Sequence, residues 1–250
     1  GRDDHQEIDA WMQARLHETI RKATHAMDKT LFRTAFQAIY FELSKHMRWY
    51  LRRCGNNPQR DIWKEAVRAQ IIMMQPYAPH VCEEAWETIG GEGFVSVAPW
   101  PTYDEGRITR DTEWLITETM SDINTVARLA DLKELSTIKL FVAPDWKYQL
   151  FDMIDEKLQE TNDQKTITSH VMSSELRTHG KEIMKIIPKI GKANTLPPYH
   201  PREKEEEVLA QAKAFLEKEF NATVQIIRAD DASEQKAGQA LPGKPAILVE

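Results

Sequence analysis

The sequence predicts a mainly α-helical protein with a smaller α/β (α+β) part in its C-terminal half. Three observations lead to this fold class. Through most of the first 130 residues, apolar side chains recur at steps of three and four, as in amphipathic helices of a bundle. Near residue 135 this pattern ends. Beyond it, short β-branched runs alternate with helical segments, which indicates a small mixed domain with about three strands.

Five helices are predicted in the N-terminal part, at residues 3–27, 30–54, 59–74, 79–89 and 110–129. In the second of them one apolar stripe is expected to face the core; its members are Phe32, Phe36, Ile39, Leu43, Met47, Tyr50 and Cys54. Lys45, Arg48 and Arg52 fall on the opposite side. This helix is therefore predicted to have a basic outer face.

The C-terminal part is predicted to contain strands at residues 137–143, 223–228 and 246–249, and helices at 145–160, 175–190 and 202–220. We place the domain boundary where the pattern changes. The predicted organisation is a helical bundle at 1–130, a linker at 131–137 and a mixed domain at 138–250.

The segment that starts at Glu175 carries a ridge of positive charge. Its apolar residues Leu176, Ile183, Ile187 and Ile190 share one helix face. The opposite face carries Arg177, Lys181, Lys185, Lys189 and Lys192. Such a ridge is either an ordinary solvated surface or a surface for a polyanion, and the periodicity alone leaves both interpretations open.

The terminal stretch GQALPGKPAILVE has the glycine and lysine spacing of a phosphate-binding loop. However, Pro245 stands where that loop needs a hydroxyl residue, and a β-branched run follows instead of a helix. Without a helix N-terminus to face the phosphates, this motif cannot work as a nucleotide site. We expect Pro242 and Gly243 to form a turn before the last strand.

Composition excludes several classes of protein. The 250 residues carry a net charge of −6, which argues against a surface that coats nucleic acid indiscriminately. The apolar runs are too short for a membrane span, and two cysteines imply neither a disulfide framework nor a zinc site. In HVCEE, His80, Glu83 and Glu84 share one helix side but lack further ligands, so we expect a hydrogen-bond cluster there and no metal site.

The segment MMQPYAPHVCEEAWETIGGEGFVSVAPWP, residues 73–101, resembles the anticodon-binding helical domain of class I aminoacyl-tRNA synthetases. The shared features are a Pro-aromatic-Ala-Pro-His run, a helix with paired Glu and a Trp, and a later Trp-Pro. Other segments look like leucyl-tRNA synthetases of the archaeal and eukaryotic cytosolic type, and they lie at residues 8–16, 32–53, 138–149, 176–185 and 243–250.

This resemblance implies a C-terminal portion of leucine-tRNA ligase, in which a class I anticodon-binding bundle precedes a small mixed domain. The HIGH and KMSKS signatures are absent from these 250 residues. The expectation is therefore that this part has no catalytic residues, no metal site and no cofactor, and that ATP and Mg belong to the missing catalytic domain. The expected location is the cytoplasm.

The resemblance also implies the partners. They are leucine tRNA, met through its long variable arm, and the catalytic and editing domains of the same parent chain, with other synthetases or accessory proteins as further candidates. The residues hypothesised to bind tRNA are Arg48, Arg52, Arg177, Lys181, Lys185, Lys189, Lys244, Ile247 and Glu250. Two alternatives stay open: the same region of a valyl- or isoleucyl-type synthetase, or a non-catalytic protein-interaction module.

Overall fold

The structure is a computed structural model that describes residues 1–161, 163–191 and 196–250, without the side chains at 189 and 191. Its contacts group the chain into two compact units, Gly1–Asp111 and Thr112–Glu250. The sequence boundary at 131–137 differs from this grouping by one helix. Helix α6 (Glu113–Leu129) packs against elements of the second unit, α10 (Arg202–Phe220) and β3 (Ala246–Val249), and therefore groups with them.

The first unit is a helical bundle, as predicted. Its helices are α1 (Glu7–Asp28), α2 (Phe32–Phe36), α3 (Leu43–Arg53), α4 (Arg60–Met74) and α5 (Pro79–Thr88). Met12, Leu16 and Ile20 repeat every fourth residue along α1 and are buried together with residues of α3 and α4. Each such side chain contributes about 1.5–3 kcal/mol by leaving water, so this shared core holds the bundle together.

The predicted single helix at 30–54 is interrupted by a π-helical segment, Gln37–Glu42. A π turn is wider than an α turn, so the side chains of Tyr40 and Phe41, four and five residues after Phe36, can both contact the Phe36 ring. The ring centroids of Phe36 lie 5.3 Å from Tyr40 and 5.8 Å from Phe41. Within the predicted buried stripe, Ile39, Leu43, Met47 and Tyr50 are confirmed as core. Phe32 is 54% exposed, and its assignment to the core was wrong.

The second unit is built on a three-stranded sheet with the order β2-β1-β3, where β1 is Thr137–Val142 and β2 is Thr223–Arg228. β1 pairs with β2 in parallel and with β3 antiparallel. The crossover between the parallel strands contains α7 (Asp145–Leu158), α8 (Gln164–Met172), α9 (Gly180–Gly191) and α10. The three predicted strands are confirmed, and α8 is a helix that the sequence analysis did not assign.

The segment before β3 is held by two buried charged residues. The Lys147 ammonium donates hydrogen bonds to the carbonyl oxygens of Gly238 and Ala240, at 2.7 and 2.8 Å. The Glu205 carboxylate accepts one from the Gly243 N–H at 2.7 Å. Because an unpartnered buried charge is costly, these bonds fix the backbone that leads into the last strand.

The predicted turn at Pro242 and Gly243 is confirmed. Leu241 and Lys244 exchange backbone hydrogen bonds across it, at 3.0 and 2.8 Å. Gly243 has φ +72°, and a Cβ atom there would lie 2.1 Å from the carbonyl oxygen of Pro198. The turn needs a glycine for both reasons, and β3 follows it directly. Gly243 thus belongs to this turn and Gly238 to the 3₁₀ segment Gln235–Gln239, so neither belongs to a phosphate loop.

Candidate nucleic-acid interface

The basic ridge lies on a 3₁₀ turn, Glu175–His179, and on α9. The sequence predicted one helix at 175–190, but its first five residues form the tighter 3₁₀ turn, which the Ser174 hydroxyl begins by accepting the Leu176 N–H. The predicted apolar face is confirmed. Leu176, Ile183, Ile187 and Ile190 are buried in a cluster with residues of α7 and α8. Because the apolar face of α9 is buried, the face that carries the cations points toward the solvent.

The cations of that opposite face are exposed. Arg177, Lys181 and Lys185 lie on the surface, and within the described ranges none of them has a carboxylate at ion-pair distance. The Lys189 side chain and Lys192 lie outside the described residues. Other cations of this unit are neutralised: Arg202 pairs with Asp145 at 2.8 Å, and Arg228 pairs with Glu206 at 2.8 Å. The ridge thus keeps its positive charge available to an anion.

Lys244 and Glu250 have acidic and basic neighbours respectively. The Lys244 ammonium lies 3.3 Å from the Asp122 carboxylate of α6, although most of the side chain is exposed. The Glu250 carboxylate lies 3.7 Å from the Lys139 ammonium. The Glu250 carbonyl oxygen accepts hydrogen bonds from the N–H groups of Ser136 and Thr137. A phosphate at Lys244 would therefore have to compete with Asp122.

Ile247, backbone included, is 4% exposed and belongs to the core, so it offers little surface to RNA. Thr137 and Glu250 exchange hydrogen bonds across β1 and β3. Along an antiparallel pair of strands, hydrogen-bonded residue pairs alternate with pairs that are not hydrogen-bonded to each other. The positions opposite Leu140 and Ile138, which are Ile247 and Val249, therefore direct their N–H and C=O groups away from β1. Within the described residues β3 is an edge strand, so these groups line its free edge, where Ile247 is covered and Val249 is partly buried.

In the first unit, the predicted basic face of α3 is confirmed. Lys45, Arg48 and Arg52 are exposed, and the Arg52 guanidinium lies 5.9 Å from the centroid of the Trp49 ring. Aromatic rings interleaved with cations are a combination used for contact with single-stranded nucleic acid.

Of the predicted cluster at His80, Glu83 and Glu84, the Glu83 side chain has a structural role. The Glu83 carboxylate accepts hydrogen bonds from the N–H groups of Val95 and Ser96, at 2.9 and 3.3 Å. It thereby fixes the short 3₁₀ turn Val95–Val97 that follows α5. In the portion of the chain that the structure describes, no group of three or more His, Cys, Asp or Glu could hold a metal ion.

Two residues that the sequence analysis did not identify lie near the ridge. Lys165, in α8, and Met184, in α9, line the same surface concavity. Met184 is 56% exposed although it lies in a helix with a strongly apolar face. The sequence does contain one signal for the start of α8, which is Asp163, a residue type preferred at the N-cap of a helix. In the structure Asp163 accepts the Thr166 N–H at 3.0 Å.

Comparison with known proteins decides the family. Residues 9–140 match the family described as the anticodon-binding domain of tRNA ligase. This chain belongs to that family. The resemblance noted from residues 73–101 is thereby confirmed. No helix among the described residues is both long and apolar enough to cross a membrane.

Relatives of this family member include leucine–tRNA ligases of archaea. The chain is 35% identical over 251 residues to that of Pyrococcus horikoshii, 31% over 246 to that of Aeropyrum pernix and 34% over 247 to that of Methanocaldococcus jannaschii. These matches cover 97–98% of this chain but 25% of each relative. The chain thus spans about a quarter of the length of the curated relatives, and it corresponds to their C-terminal region.

Proposed function

We propose that this chain is the tRNA-binding C-terminal part of a leucine–tRNA ligase and positions leucine tRNA for leucylation elsewhere in the parent protein. Relatives of the leucine type across its whole length favour this over a valyl- or isoleucyl-type origin. The ATP- and Mg-dependent chemistry, and editing, belong to the rest of that protein. Its proposed location is the cytoplasm.

The observation that carries this proposal is the exposed ridge of Arg177, Lys181 and Lys185. The protein as a whole has a net charge of −6, and several other cations of the second unit are paired with carboxylates. A cluster that stays unpaired in such a chain costs repulsion among its members. Binding the phosphates of an RNA backbone relieves that repulsion and releases counterions.

The free edge of β3 supplies the second part of the proposal. Phosphate contacts give affinity and orientation, whereas sequence in RNA is read at unpaired bases. The outward N–H and C=O groups of Val249, which is only partly buried, have the donors and acceptors that such reading needs. We assign them to unpaired nucleotides of the long variable arm. Arg48 and Arg52 on α3 are assigned to further phosphates of the same tRNA.

The test is the double change Lys181→Glu and Lys185→Glu. We expect it to weaken binding of a leucine tRNA transcript at least tenfold, and to reduce the slope of log K against log salt by about two. The matched control reverses Lys213 and Lys218 on α10, which changes the net charge equally. Equal losses in both variants would mean a net-charge effect and would refute the ridge assignment.

A second comparison uses leucine tRNA with its variable arm shortened. If the chain reads that arm, the wild type binds the intact transcript more tightly than the shortened one. With the shortened transcript, Lys181→Glu and Lys185→Glu together should then reduce the affinity much less than with the intact one. Equal affinity for both transcripts would contradict the assignment to the variable arm. No measurable tRNA binding would instead favour a role in docking other proteins.

A further inference from the structure

Two concavities adjoin on the surface of the second unit, and Met184 lines both of them. One lies between α8 and α9 and has a volume of about 420 Å³. The other, of about 640 Å³, lies along the 3₁₀ turn and the start of α9. Their linings differ in chemistry: the first is mainly apolar, while Arg177 and Lys181 line the second.

The apolar concavity suits a flat ring. Met184, Ile187 and Pro188 form its α9 wall, and a thioether packs well against aromatic systems. Its α8 side presents polar groups that can bond to the edge of a base; they come from Gln164, Lys165, Thr168 and Ser169.

Pro188 lies inside α9 and adds its apolar ring to the wall of this concavity. Because proline has no N–H, the regular hydrogen-bond pattern of the helix is interrupted there.

The basic concavity suits a phosphate. Lys181 and Met184 are three residues apart on α9, so their side chains are neighbours on one helix face. Glu182 also lines this concavity, but its charge interacts with the buried ammonium of Lys147. Within the described residues, Lys165, Arg177 and Lys181 are cations without an ion-pair partner around the two openings.

We propose that these two concavities together bind one unpaired ribonucleotide of the RNA, with its base against Met184 and Pro188 and its phosphate at Lys181 and Arg177. The proposal rests on the proposed function and names a nucleotide subsite within the ridge. Single-stranded RNA is the ligand class because it presents an unstacked base beside an anionic phosphate. A base inside a duplex cannot enter the concavity.

The first test compares Met184→Ser with Leu129→Ser, which removes an apolar side chain that is 80% exposed on α6. For a leucine tRNA transcript, we expect Met184→Ser to weaken binding about fivefold or more with an unchanged salt slope, since stacking is lost but no charge is. Lys181→Gln should instead reduce the salt slope by about one. Leu129→Ser should bind like the wild type.

The outcomes separate the two proposals. Wild-type binding by Met184→Ser together with weaker binding by Lys181→Gln refutes the nucleotide subsite and leaves the proposed function standing. Wild-type binding by both variants refutes the subsite and also the ridge. Because Met184 is 56% exposed and Lys181 also lies on the surface, Met184→Ser and Lys181→Gln should both fold, and circular dichroism checks this.

The second test follows the methyl group of Met184 directly by NMR, its resonance being identified by its loss in Met184→Leu. Single-stranded RNA of eight nucleotides should shift this resonance, whereas the same sequence in a duplex should not. A peptide of eight glutamates tests the rival ligand. A shift with the peptide equal to that with RNA, or no shift with RNA, would overturn the proposal.

Discussion

The most deeply buried carboxylates described in the two compact units are Asp9 and Glu205, and they are stabilised differently. Asp9, in the bundle, is 2% exposed and accepts hydrogen bonds from the Tyr50 hydroxyl at 2.6 Å, from the Gln6 N–H and from the Arg2 guanidinium. Glu205, in the mixed unit, is 1% exposed and accepts them from the Tyr148 hydroxyl and from two backbone N–H groups. Only Asp9 has a cation in its hydrogen-bond shell.

This difference reverses the effect of burial on the pKa. Burial acts to raise the pKa of both carboxyl groups. At Asp9 the hydrogen bonds from Arg2 and Tyr50 outweigh it and lower the pKa, whereas at Glu205 burial prevails over the hydrogen bonds and raises the pKa. At Glu205 three uncharged donors do not offset the effect of burial on the pKa, whereas at Asp9 the Arg2 guanidinium acts together with Tyr50 and Gln6 and the pKa is lowered.

The largest expected effect comes from breaking the turn that Glu205 holds. Gly243→Ala should lower the free energy of unfolding by about 4 kcal/mol, because an alanine is strained at this φ and its Cβ meets a backbone carbonyl. Urea denaturation measures it. The control is Gly238→Ala, where a Cβ has no atom within 4 Å. Similar losses in both variants would contradict the role of the turn.

A smaller effect should follow from removing the guanidinium of the bundle. Arg2→Met leaves Asp9 with neutral donors only, as at Glu205, and should cost about 2 kcal/mol. The pKa of Asp9 should then rise, which carboxyl NMR titration measures. Arg60→Met is the control, since Arg60 forms an exposed pair with Asp3 at 3.4 Å. An unchanged Asp9 pKa in Arg2→Met would show that Tyr50 and Gln6 suffice.

The smallest effect is a pH dependence of opposite sign in the two units. The folded-state pKa of Asp9 lies below its ordinary value of 3.8, so its stabilisation is present above that pH and is lost as pH falls through the folded-state pKa. The pKa of Glu205 lies above 4.5, so its contribution is present below that pH and is lost as pH rises through the folded-state pKa.

Unfolding of the wild type, Asp9→Asn and Glu205→Gln between about pH 3 and pH 7 tests these signs. The free energy of unfolding of the wild type minus that of Asp9→Asn should decrease as pH falls. The free energy of unfolding of the wild type minus that of Glu205→Gln should increase as pH falls. Differences that move in the same direction in both pairs would contradict the opposite pKa shifts.

Much of the fold was predictable because its signals are local. The strands at 137–142, 223–228 and 246–249 are short β-branched runs, and α4, α5 and α10 begin and end beside proline or cap residues. The π-helical segment was not predictable, because its residues also fit a regular helix. Helix α8 was missed because its nine residues are too short for a clear periodicity.

The candidate site was predictable only in part. Helical spacing alone separated Arg177, Lys181 and Lys185 from the apolar face of α9. It could not show that these cations lack ion-pair partners in the described chain, because the carboxylates that neutralise other cations come from elements distant in sequence. Asp145, for example, pairs with Arg202 across 57 positions, 202 minus 145. The concavities that Met184 shares have the same kind of origin, since α8 forms one wall.

The sequence by itself determined which segments are helix or strand, which face of each is apolar, and the family to which the chain belongs. These properties depend on near neighbours along the chain and on short motifs such as that at residues 76–86. Only the tertiary structure decided that Ile247 is buried as a whole residue, that α6 joins the mixed unit, and that Lys147 and Glu205 hold the terminal turn. Burial and hydrogen bonding are set by residues brought together from far apart, so no local pattern reveals them.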